Sequence, residues 1–398
     1  MNKKQIVVVS LAIACCLAAD SMLYIALPIY WKEAGLSSLW EVGVLLSINR
    51  FIRLPLNPFI GFLYSKIEIK TGLLIATFLA VIANLGYALG GRFWLWILFR
   101  SIWGVAWALF SLGGLLTVIK CAEENNRGQL MGTYNGLYRL GSLAGMLLGG
   151  ILPVFISFGK TALFFGGLSL FSFVFVFFME KVGEGERVPQ KPIVIKDLWL
   201  RPVLMVLASG FIINMLYRGV INSTLSLIIT ENFGLEIKVL NIVVGSTALA
   251  GILQAARWVW EPFLATRIGQ WSDGIRGRVP LLIGSLLIAA LSFTLTTLKV
   301  PLIIWIGVIC LVMLCATSLT TLMDALASDV AKSTGPVSVM TSYTIANDLG
   351  AAIGPVLIYQ LINLNEGIVM GLIGSALILV ILAITWYQNN KRDLAQNI

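Results

Sequence analysis

The chain has 398 residues and a net charge of +9; 58% of its residues are hydrophobic and only 12% are charged, against roughly 25% in a typical soluble domain. This composition excludes a soluble enzyme, a nucleic-acid-binding protein and a disordered scaffold, because a soluble fold would expose large apolar patches. The lack of histidine also excludes histidine-ligated haem, most zinc sites and Ser-His or Cys-His catalysis. We therefore expect a membrane protein that is not an enzyme and has no cofactor or metal.

Twelve apolar runs are long enough to cross a bilayer, which requires about 20 residues. The segment between the sixth and seventh runs is charged and contains Pro189 and Pro192, which predicts a linker. We predict an all-α membrane protein with a first six-helix bundle at 1–180, a cytoplasmic linker at 181–201 and a second bundle at 202–398. The predicted spans are 5–31, 39–63, 72–91, 93–119, 129–157, 161–179, 202–229, 237–265, 280–298, 301–328, 338–363 and 367–387.

The basic residues support twelve spans with both termini in the cytoplasm. In this topology seventeen of the 28 lysine and arginine residues are cytoplasmic, five are outside and six lie within spans. The asymmetry follows the positive-inside rule, and an odd number of spans would break it. We therefore expect a multi-pass protein of the plasma membrane.

Asp20 falls near the centre of the first span and is the only acid deep inside the first half. Ionisable groups at this depth are costly and are candidates for function. We interpret Asp20 as a proton carrier that loads and releases its proton as access alternates, together with Arg100 of the fourth span. The alternative is a fixed structural ion pair of Asp20 with Arg50 or Arg100.

The spans of the first half carry more arginines than acids. Two of these arginines are three residues apart and share one face of the second span. Because arginine binds carboxylate and phosphate groups, the surplus favours an anionic or zwitterionic substrate. Alternatively, some of the arginines face cytoplasmic gates and pair with Asp324 or Asp348. The candidate cavity residues of this half are Asn49, Arg50, Arg53 and Arg139.

The second half contributes further candidate cavity residues. Four polar residues of the seventh span have the spacing i, i+3, i+4 and i+8, which predicts a polar stripe on one helix face. In the eighth span, Arg257 and Glu261 are spaced for a local salt bridge. The candidate cavity residues here are Asn214, Tyr217, Arg218, Asn222 and, in the eleventh span, Asp348.

The two halves repeat one another. Three independent matches at nearly one offset favour two six-helix halves in parallel repeat, with a substrate site near the midplane. The matching segments are 50–55 with 257–262, 61–70 with 269–278, and 141–145 with 350–354, at offsets of 207, 208 and 209.

These motifs resemble those of the major facilitator superfamily over essentially the whole chain. The loop at 269–278 is similar to its signature G-x-x-x-D-x-x-G-R-[KR], although Arg276 and Gly277 are shifted against the usual order. The first-half copy is degraded, because Ser65 replaces the acidic residue. The resemblance implies a major facilitator fold and a cytoplasmic gate formed by Gly61, Gly269, Asp273, Arg276 and Arg278.

The fifth span resembles the motif G-x8-G-x3-G-P-x2-G-G of drug–proton antiporters in this superfamily, with Met146 in place of the proline. Glycines at this spacing let two helices approach closely. The resemblance implies export, whereas generic tight packing would need no antiport. The glycines at the family spacing are Gly132, Gly141, Gly145, Gly149 and Gly150.

The sequence thus predicts a secondary active transporter, a proton-coupled exporter of an amphipathic small molecule that bears an anionic group. A flippase for a lipid or lipid-linked sugar, and an importer of a small solute, remain alternatives. No P-loop is present, so ATP-driven pumping by this chain is not expected. The expected partners are the small-molecule substrate, protons and the bilayer, without nucleic acid, and we expect a monomer.

Overall fold

A computed structural model describes most of the chain. Most of the predicted linker, 181–198, and the predicted gate residue Arg276 lie outside the described residues. The described ranges are 2–122, 127–180, 199–239, 242–273, 277–334, 336–364 and 366–396.

The first half is built from long apolar helices joined by short turns, as the length of its hydrophobic runs predicts. α2 begins after Ser38 in an extended conformation, and its first turn contains Glu41, whose carboxylate accepts a hydrogen bond from the Ser37 amide at 2.7 Å. The helices are α1 (Asn2–Tyr30), α2 (Leu39–Tyr64), α3 (Ile69–Leu89), α4 (Phe93–Cys121), α5 (Arg127–Ile156) and α6 (Phe158–Phe177).

The second half has the same plan with two interruptions. The seventh span consists of α7 (Arg201–Asn214), a π-helical segment (Met215–Ile221) and α8 (Asn222–Phe233). The strands β1 (Glu236–Val239) and β2 (Ile242–Gly245) follow. The remaining helices are α9 (Ser246–Ser272), α10 (Arg278–Leu295), α11 (Leu302–Ser333), α12 (Pro336–Leu361) and α13 (Gly367–Gln396).

The eighth span begins later than the sequence predicted. A helix was expected from residue 237, but β1 and β2 form an antiparallel hairpin in which Ile237 lies opposite Val244 and Lys238 opposite Val243. The helix starts only at Ser246. The preceding run is rich in valine and isoleucine, whose branched side chains favour strands, so its hydrophobicity was wrongly assigned to the helix.

Nine helices in the described part of the chain are long and apolar enough to cross a membrane by length and composition. The long helices α2, α9 and α12 fall outside this group. They carry polar and charged residues that the sequence analysis singled out: Asn49, Arg50 and Arg53 on α2, Arg257 and Glu261 on α9, and Asp348 on α12.

The contacts between helices divide the chain into two compact units. The first contains residues 1–189 and 222–255, and the second contains 190–221 and 256–398. α8, the hairpin and the first turns of α9 therefore belong to the first unit. The bundle boundaries at 180 and 202 stay a prediction, because these units group residues by contact and not by membrane span.

In the first unit, α1 packs against α5 along a line of glycines. Gly141, Gly145 and Gly149 face α1, and a Cβ at the first two would collide with the backbone of Ala14 and Ala18. The missing side chains therefore let the two helix backbones touch, which is the packing that small residues at four-residue spacing provide in membranes.

The second unit contains an equivalent seam between α12 and the seventh span. A Cβ at Gly350 would collide with the backbone of Phe211, and a Cβ at Gly354 with the backbone of Met215. On the π-helical segment, a Cβ at Gly219 would lie 2.7 Å from the Cα of Gly354. The repeat predicted from the sequence therefore extends to the packing of its helices.

Candidate functional site

A buried ion pair joins α1 to α4 inside the first unit. Arg100 Nη1 donates to Asp20 Oδ1, and the arginine side chain is fully buried while 11% of the aspartate side chain is exposed. Of the two partners considered for Asp20, the structure pairs it with Arg100. A charge pair at this depth is expensive unless both members are well coordinated.

Arg100 also binds groups on two other helices. Its Nε donates to the carbonyl oxygen of Leu45 on α2 at 2.7 Å, and its Nη1 lies 3.5 Å from Tyr87 Oη on α3. Arg100 Nη2 is buried and has no hydrogen-bond partner among the described residues. The guanidinium thus connects four helices and retains one donor group for a further acceptor. Tyr87 was not predicted from the sequence, because a tyrosine in an apolar span carries no charge to mark it.

The close approach of α2 and α4 brings Asn49 to this cluster. A Cβ at Gly104, one turn after Arg100, would lie 2.7 Å from the Asn49 carbonyl oxygen. The Asn49 side chain is buried, and its Oδ1 has no hydrogen-bond partner within the described chain. The motif Arg100-x-x-x-Gly104 therefore has a physical role: the glycine lets α4 approach α2 so that the arginine reaches its backbone.

Arg50 lies beside the same group of helices. Its Nη2 is 3.5 Å from Tyr24 Oη, and this hydroxyl donates to the Leu46 carbonyl oxygen at 3.3 Å. Tyr24 is one turn after Asp20 on α1. Asp20, Tyr24, Asn49, Arg50 and Arg100 together form what we call the charge cluster of the first unit.

Two further predicted cavity residues lie on helices of this unit. Arg53 is buried on α2, one turn beyond Arg50, and Arg139 is half-buried on α5. Next to Arg139, the ring of Tyr138 lies 5.1 Å from Tyr134 and 6.1 Å from Trp107, measured between centroids. Arg139 therefore follows an aromatic cluster that joins α4 to α5.

The polar residues of the seventh span differ in burial, and the polar face that the sequence predicts for them stays a prediction. Asn214 is buried and donates from Nδ2 to the Gly210 carbonyl oxygen at 2.9 Å, whereas Arg218 is exposed and Asn222 is half-buried. The four positions lie in or directly next to the π-helical segment at 215–221, whose turn is wider than that of the α-helix assumed for the spacing. A π-helical turn has no signature in hydropathy, although such turns are frequent at functional sites.

Tyr217 points into the second unit. Its side chain is fully buried with the ring edge-on to Phe293 at 5.4 Å, and its Oη has no hydrogen-bond partner in the part of the chain described. On α12, Tyr343 donates to Asp324 Oδ1 at 2.9 Å, and Asp348 is half-buried. Tyr217, Asp324 and Asp348 are thus distributed over three helices of this unit.

The predicted local pair on α9 is confirmed. Arg257 Nε lies 3.6 Å from Glu261 Oε2, one helical turn away. The Arg257 guanidinium also lies 5.9 Å from the Trp258 ring centroid, within the range of a cation–π contact.

Two predicted gate residues meet at the ends of α9 and α10. Arg278 Nη2 lies 2.6 Å from Asp273 Oδ1, and Arg278 Nη1 pairs with Asp329 on α11 and lies 3.2 Å from the Ala325 carbonyl oxygen. Asp273 is held by its own amide, which donates to the Gly269 carbonyl oxygen at 3.1 Å. Asp329 was not predicted as a gate residue, because only the packing of α11 against α10 brings it to Arg278.

The first-half copy of this loop makes different contacts. Lys70, which aligns with Arg278, donates to the carbonyl oxygens of Phe177 at 2.9 Å and Met179 at 2.6 Å. These carbonyls belong to the C-terminal end of α6, where a cation is favoured by the unpaired carbonyls. Gly61 is half-buried one turn before the end of α2. The copy that lost its acid at Ser65 therefore uses its lysine to cap a helix.

The glycines of the fifth span divide into two groups. A Cβ at Gly132 would have nothing within 4 Å, whereas a Cβ at each of the other four would collide with a neighbouring helix. Gly150 faces the backbone of Thr247 on α9, whose hydroxyl donates to the Gly150 carbonyl oxygen at 2.8 Å. The motif therefore performs the close packing that its spacing predicts at all positions except the first.

Comparison with known proteins identifies the family. The sequence profile described as Major Facilitator Superfamily matches residues 9–355. The chain belongs to this superfamily. Its members are secondary transporters, and the predicted fold of twelve transmembrane helices in two pseudo-symmetric six-helix bundles is confirmed.

Solved structures of other superfamily members share this fold. A bacterial homologue of the human lysosomal transporter Spinster, in an inward-facing unoccupied conformation, aligns with a TM-score of 0.74, covering 96% of this chain and 94% of that one at 13% identity. The occupied form of the same homologue aligns with a TM-score of 0.74 at 14% identity, covering 97% of this chain and 96% of that one. At these identities the likeness concerns the fold alone.

Sequence relatives within the superfamily match over shorter stretches. The human chromaffin granule amine transporter is 28% identical over 125 residues, 31% of this chain and 23% of that protein. The uncharacterized MFS-type transporter YcaD of Salmonella typhi is 25% identical over 130 residues, 33% of this chain and 34% of that protein. The chain thus spans about a quarter to a third of the length of these curated relatives.

Proposed function

We propose that this superfamily member is a proton-coupled exporter of an amphipathic small molecule that bears an anionic group. The observation that carries the proposal is the buried pair between Asp20 and Arg100. Its carboxylate retains a small exposed area, so a proton or a substrate cation has access to it. Its guanidinium is held by the backbone of α2 and by Tyr87, so the arginine stays in place when the charge of Asp20 changes.

The coupling follows from competition at one carboxylate. A proton on Asp20 neutralises the group that a cationic part of the substrate would bind, so proton and substrate bind in turn, which is the requirement for antiport. Arg50 and Arg53, on the neighbouring helix α2, are the groups suited to an anionic part of the same molecule. A zwitterionic amphipathic molecule satisfies both sites. The name of the human amine transporter is consistent with a cationic group in the substrate.

The direction of transport is inferred from the glycines of α5. They match the spacing seen in drug–proton antiporters, and they pack on the helix that carries Asp20. Gly145 contacts Ala18 and Gly149 contacts Met22, two residues before and two residues after Asp20. A movement of α1 on proton loading is thereby transmitted directly to α5.

An importer that moves protons and anions together is the second candidate, and one observation favours it. When Asp20 is protonated, Arg100 loses its counter-ion, and its buried Nη2 is available to an anion because the described residues offer it no acceptor. In this cycle the proton and the anionic substrate bind together rather than in turn. The sign of proton movement distinguishes the two candidates.

The test uses the full-length protein in liposomes that contain a pH-sensitive dye. We expect ciprofloxacin, an amphipathic zwitterion, to drive protons in the direction opposite to its own movement. Asp20→Asn should abolish this proton movement and should also weaken the exchange of labelled for unlabelled ciprofloxacin, because the neutral amide cannot bind the cationic part of the substrate. The matched control is Glu261→Gln, which removes another arginine-paired carboxylate and should leave the coupling intact.

Three results would contradict the exporter. Proton-driven transport that survives in Asp20→Asn would remove the assigned role of Asp20. Protons that move together with taurocholate, an amphipathic anion, would establish the importer. Labelled phospholipid that crosses the bilayer while neither ciprofloxacin nor protons move would establish a flippase.

The remaining expectations are part of the same proposal. The protein lies in the plasma membrane with both termini in the cytoplasm, acts as a monomer, and has a small molecule and protons as its partners. The distribution of lysine and arginine supports this orientation. The variants Lys3→Cys and Lys299→Cys test it in intact cells with a membrane-impermeant maleimide, with the wild-type protein as the background. Only Lys299→Cys should react above that background, and additional labelling of Lys3→Cys would contradict the orientation.

A further inference from the structure

Two apolar grooves border α6 in the first unit, and they share two lining residues near the N-terminal end of this helix. The first has a volume of about 710 Å³ and lies between α6 and the helices α3 and α4. The second has a volume of about 540 Å³ and follows α6 itself. Lys160 and Leu163 line both grooves, and no other described residue does.

The positions that line the second groove follow a single face of the helix. They occur at i, i+3, i+4, i+7, i+8 and i+11, which places them in one stripe along α6. The lining residues are Lys160, Leu163, Phe164, Gly167, Leu168 and Phe171. At the middle of this stripe, a Cβ at Gly167 would have nothing within 4 Å, so the protein itself leaves this space open.

The first groove has the same chemistry. Its lining includes Ile82 and Leu89 of α3 and Phe99 of α4, and its charged lining residue is again Lys160. Lys160 is exposed in the first turn of α6. The predicted topology places this end of the helix on the outer side of the membrane. Its long side chain can therefore hold the ammonium at the membrane boundary while the grooves extend towards the bilayer core.

We propose that these two grooves and Lys160 form a binding site for a two-chain anionic phospholipid of the bilayer. The phosphate group lies at Lys160, and the two acyl chains separate at Leu163 and follow the two grooves. Charge complementarity selects an anionic headgroup, because the charged residue at the junction of the grooves is a lysine. Because both grooves begin at the same lysine, the site favours a lipid with two acyl chains. This site is separate from the charge cluster and does not depend on the proposed exporter function.

The site is tested by native mass spectrometry of the purified full-length protein with three lipids. These are palmitoyl-oleoyl phosphatidylglycerol, palmitoyl-oleoyl phosphatidylcholine and lyso-phosphatidylglycerol, which has one chain. We expect the wild-type protein to bind the first about fivefold more tightly than the second, the preference that one lysine at the membrane surface provides. Lys160→Gln should remove this preference. Lys299→Gln, at another exposed lysine on the predicted outer side, should retain it.

The second groove is tested by filling it. Gly167→Phe should reduce binding of the two-chain phosphatidylglycerol to the level of the one-chain lipid, while binding of the one-chain lipid is unchanged. The fold should tolerate the substitution because the space is open and glycine is a poor helix former. Gly307→Phe on α11, whose Cβ also would have nothing within 4 Å, is the matched control and should have no effect.

Three outcomes would overturn the proposal. Equal binding of phosphatidylglycerol and phosphatidylcholine to the wild-type protein would remove the role of Lys160, as would an unchanged preference in Lys160→Gln. An unchanged ratio of two-chain to one-chain binding in Gly167→Phe, or in the smaller Gly167→Leu, would exclude an acyl chain from the second groove.

Discussion

Replacing one glycine of the α1–α5 seam by alanine should separate the two helices. At Gly145, the added Cβ would lie 2.9 Å from the Cα and from the carbonyl carbon of Ala18, and closer still to its carbonyl oxygen. Carbon atoms in ordinary contact are about 3.5–4.0 Å apart, so the backbones must move by roughly 0.6–1 Å. A gap of this size forfeits about a quarter to a half of the dispersion energy of each contact, and overpacking costs about 1–3 kcal/mol.

The matched control is Gly132→Ala, at the first position of the same motif on the same helix. A Cβ there meets nothing within 4 Å, so the only expected effect is the gain in helix propensity, about 1 kcal/mol. The same propensity gain applies at Gly145. The free energies of unfolding of the two variants should therefore differ by about the cost of the contact, 1–3 kcal/mol, with Gly145→Ala less stable.

The comparison is made by following unfolding of both variants in detergent micelles through tryptophan fluorescence. Gly350→Ala tests the equivalent seam in the second unit, where the Cβ would collide with the backbone of Phe211. It should behave like Gly145→Ala. Equal stability of Gly132→Ala and Gly145→Ala would refute the reasoning, because it would mean that α1 and α5 do not touch through their backbones.

Two further predictions concern the second unit. Arg278→Gln should lower the free energy of unfolding by less than about 1 kcal/mol, and only at low salt. Both carboxylate partners, Asp273 and Asp329, are largely exposed, and salt screens such pairs. An equal loss of stability in 1 M salt would contradict this prediction. Tyr217→Phe should leave thermal stability in detergent unchanged or raise it, because the hydroxyl has no partner in the described chain. Tyr343→Phe should lower the free energy of unfolding by about 1–3 kcal/mol, because its hydroxyl donates to Asp324. A lower melting temperature for Tyr217→Phe than for Tyr343→Phe would show that the Tyr217 hydroxyl is bonded.

The spans could be predicted from the sequence because the bilayer sets the length of an apolar helix. The prediction failed where hydropathy and secondary structure diverge. The run before Ser246 is apolar enough for a span, but its β-branched residues form a hairpin. The π-helical segment at 215–221 was also missed. Within it, Gly219 lies against Gly354 of another helix, a contact that no local pattern encodes.

The candidate site was predictable only in part, and for a related reason. The depth of Asp20 and Arg100 in their spans follows from position along the chain, so the pair was among the alternatives considered. Which side chains meet depends on how each helix is rotated about its axis. The hydropathy of a helix surrounded by apolar neighbours and lipid does not reveal this rotation. Tyr87 and Asp329 were missed because only the packing of α3 and α11 brings them to their partners.

The energetics of the Asp20–Arg100 pair agree with its proposed role in coupling. Removing one partner of a buried ion pair typically costs about 3–5 kcal/mol, because the other charge remains uncompensated. A proton on Asp20 removes the negative charge in the same way. Reversing a two-state equilibrium from 1:99 to 99:1 requires about 5.5 kcal/mol. In the proposed cycle, one proton at this carboxylate therefore supplies most of the free energy needed to switch between conformations, provided that the pair is intact in one and separated in the other. The packing of α5 on both sides of Asp20 makes such a separation a movement of whole helices rather than of one side chain.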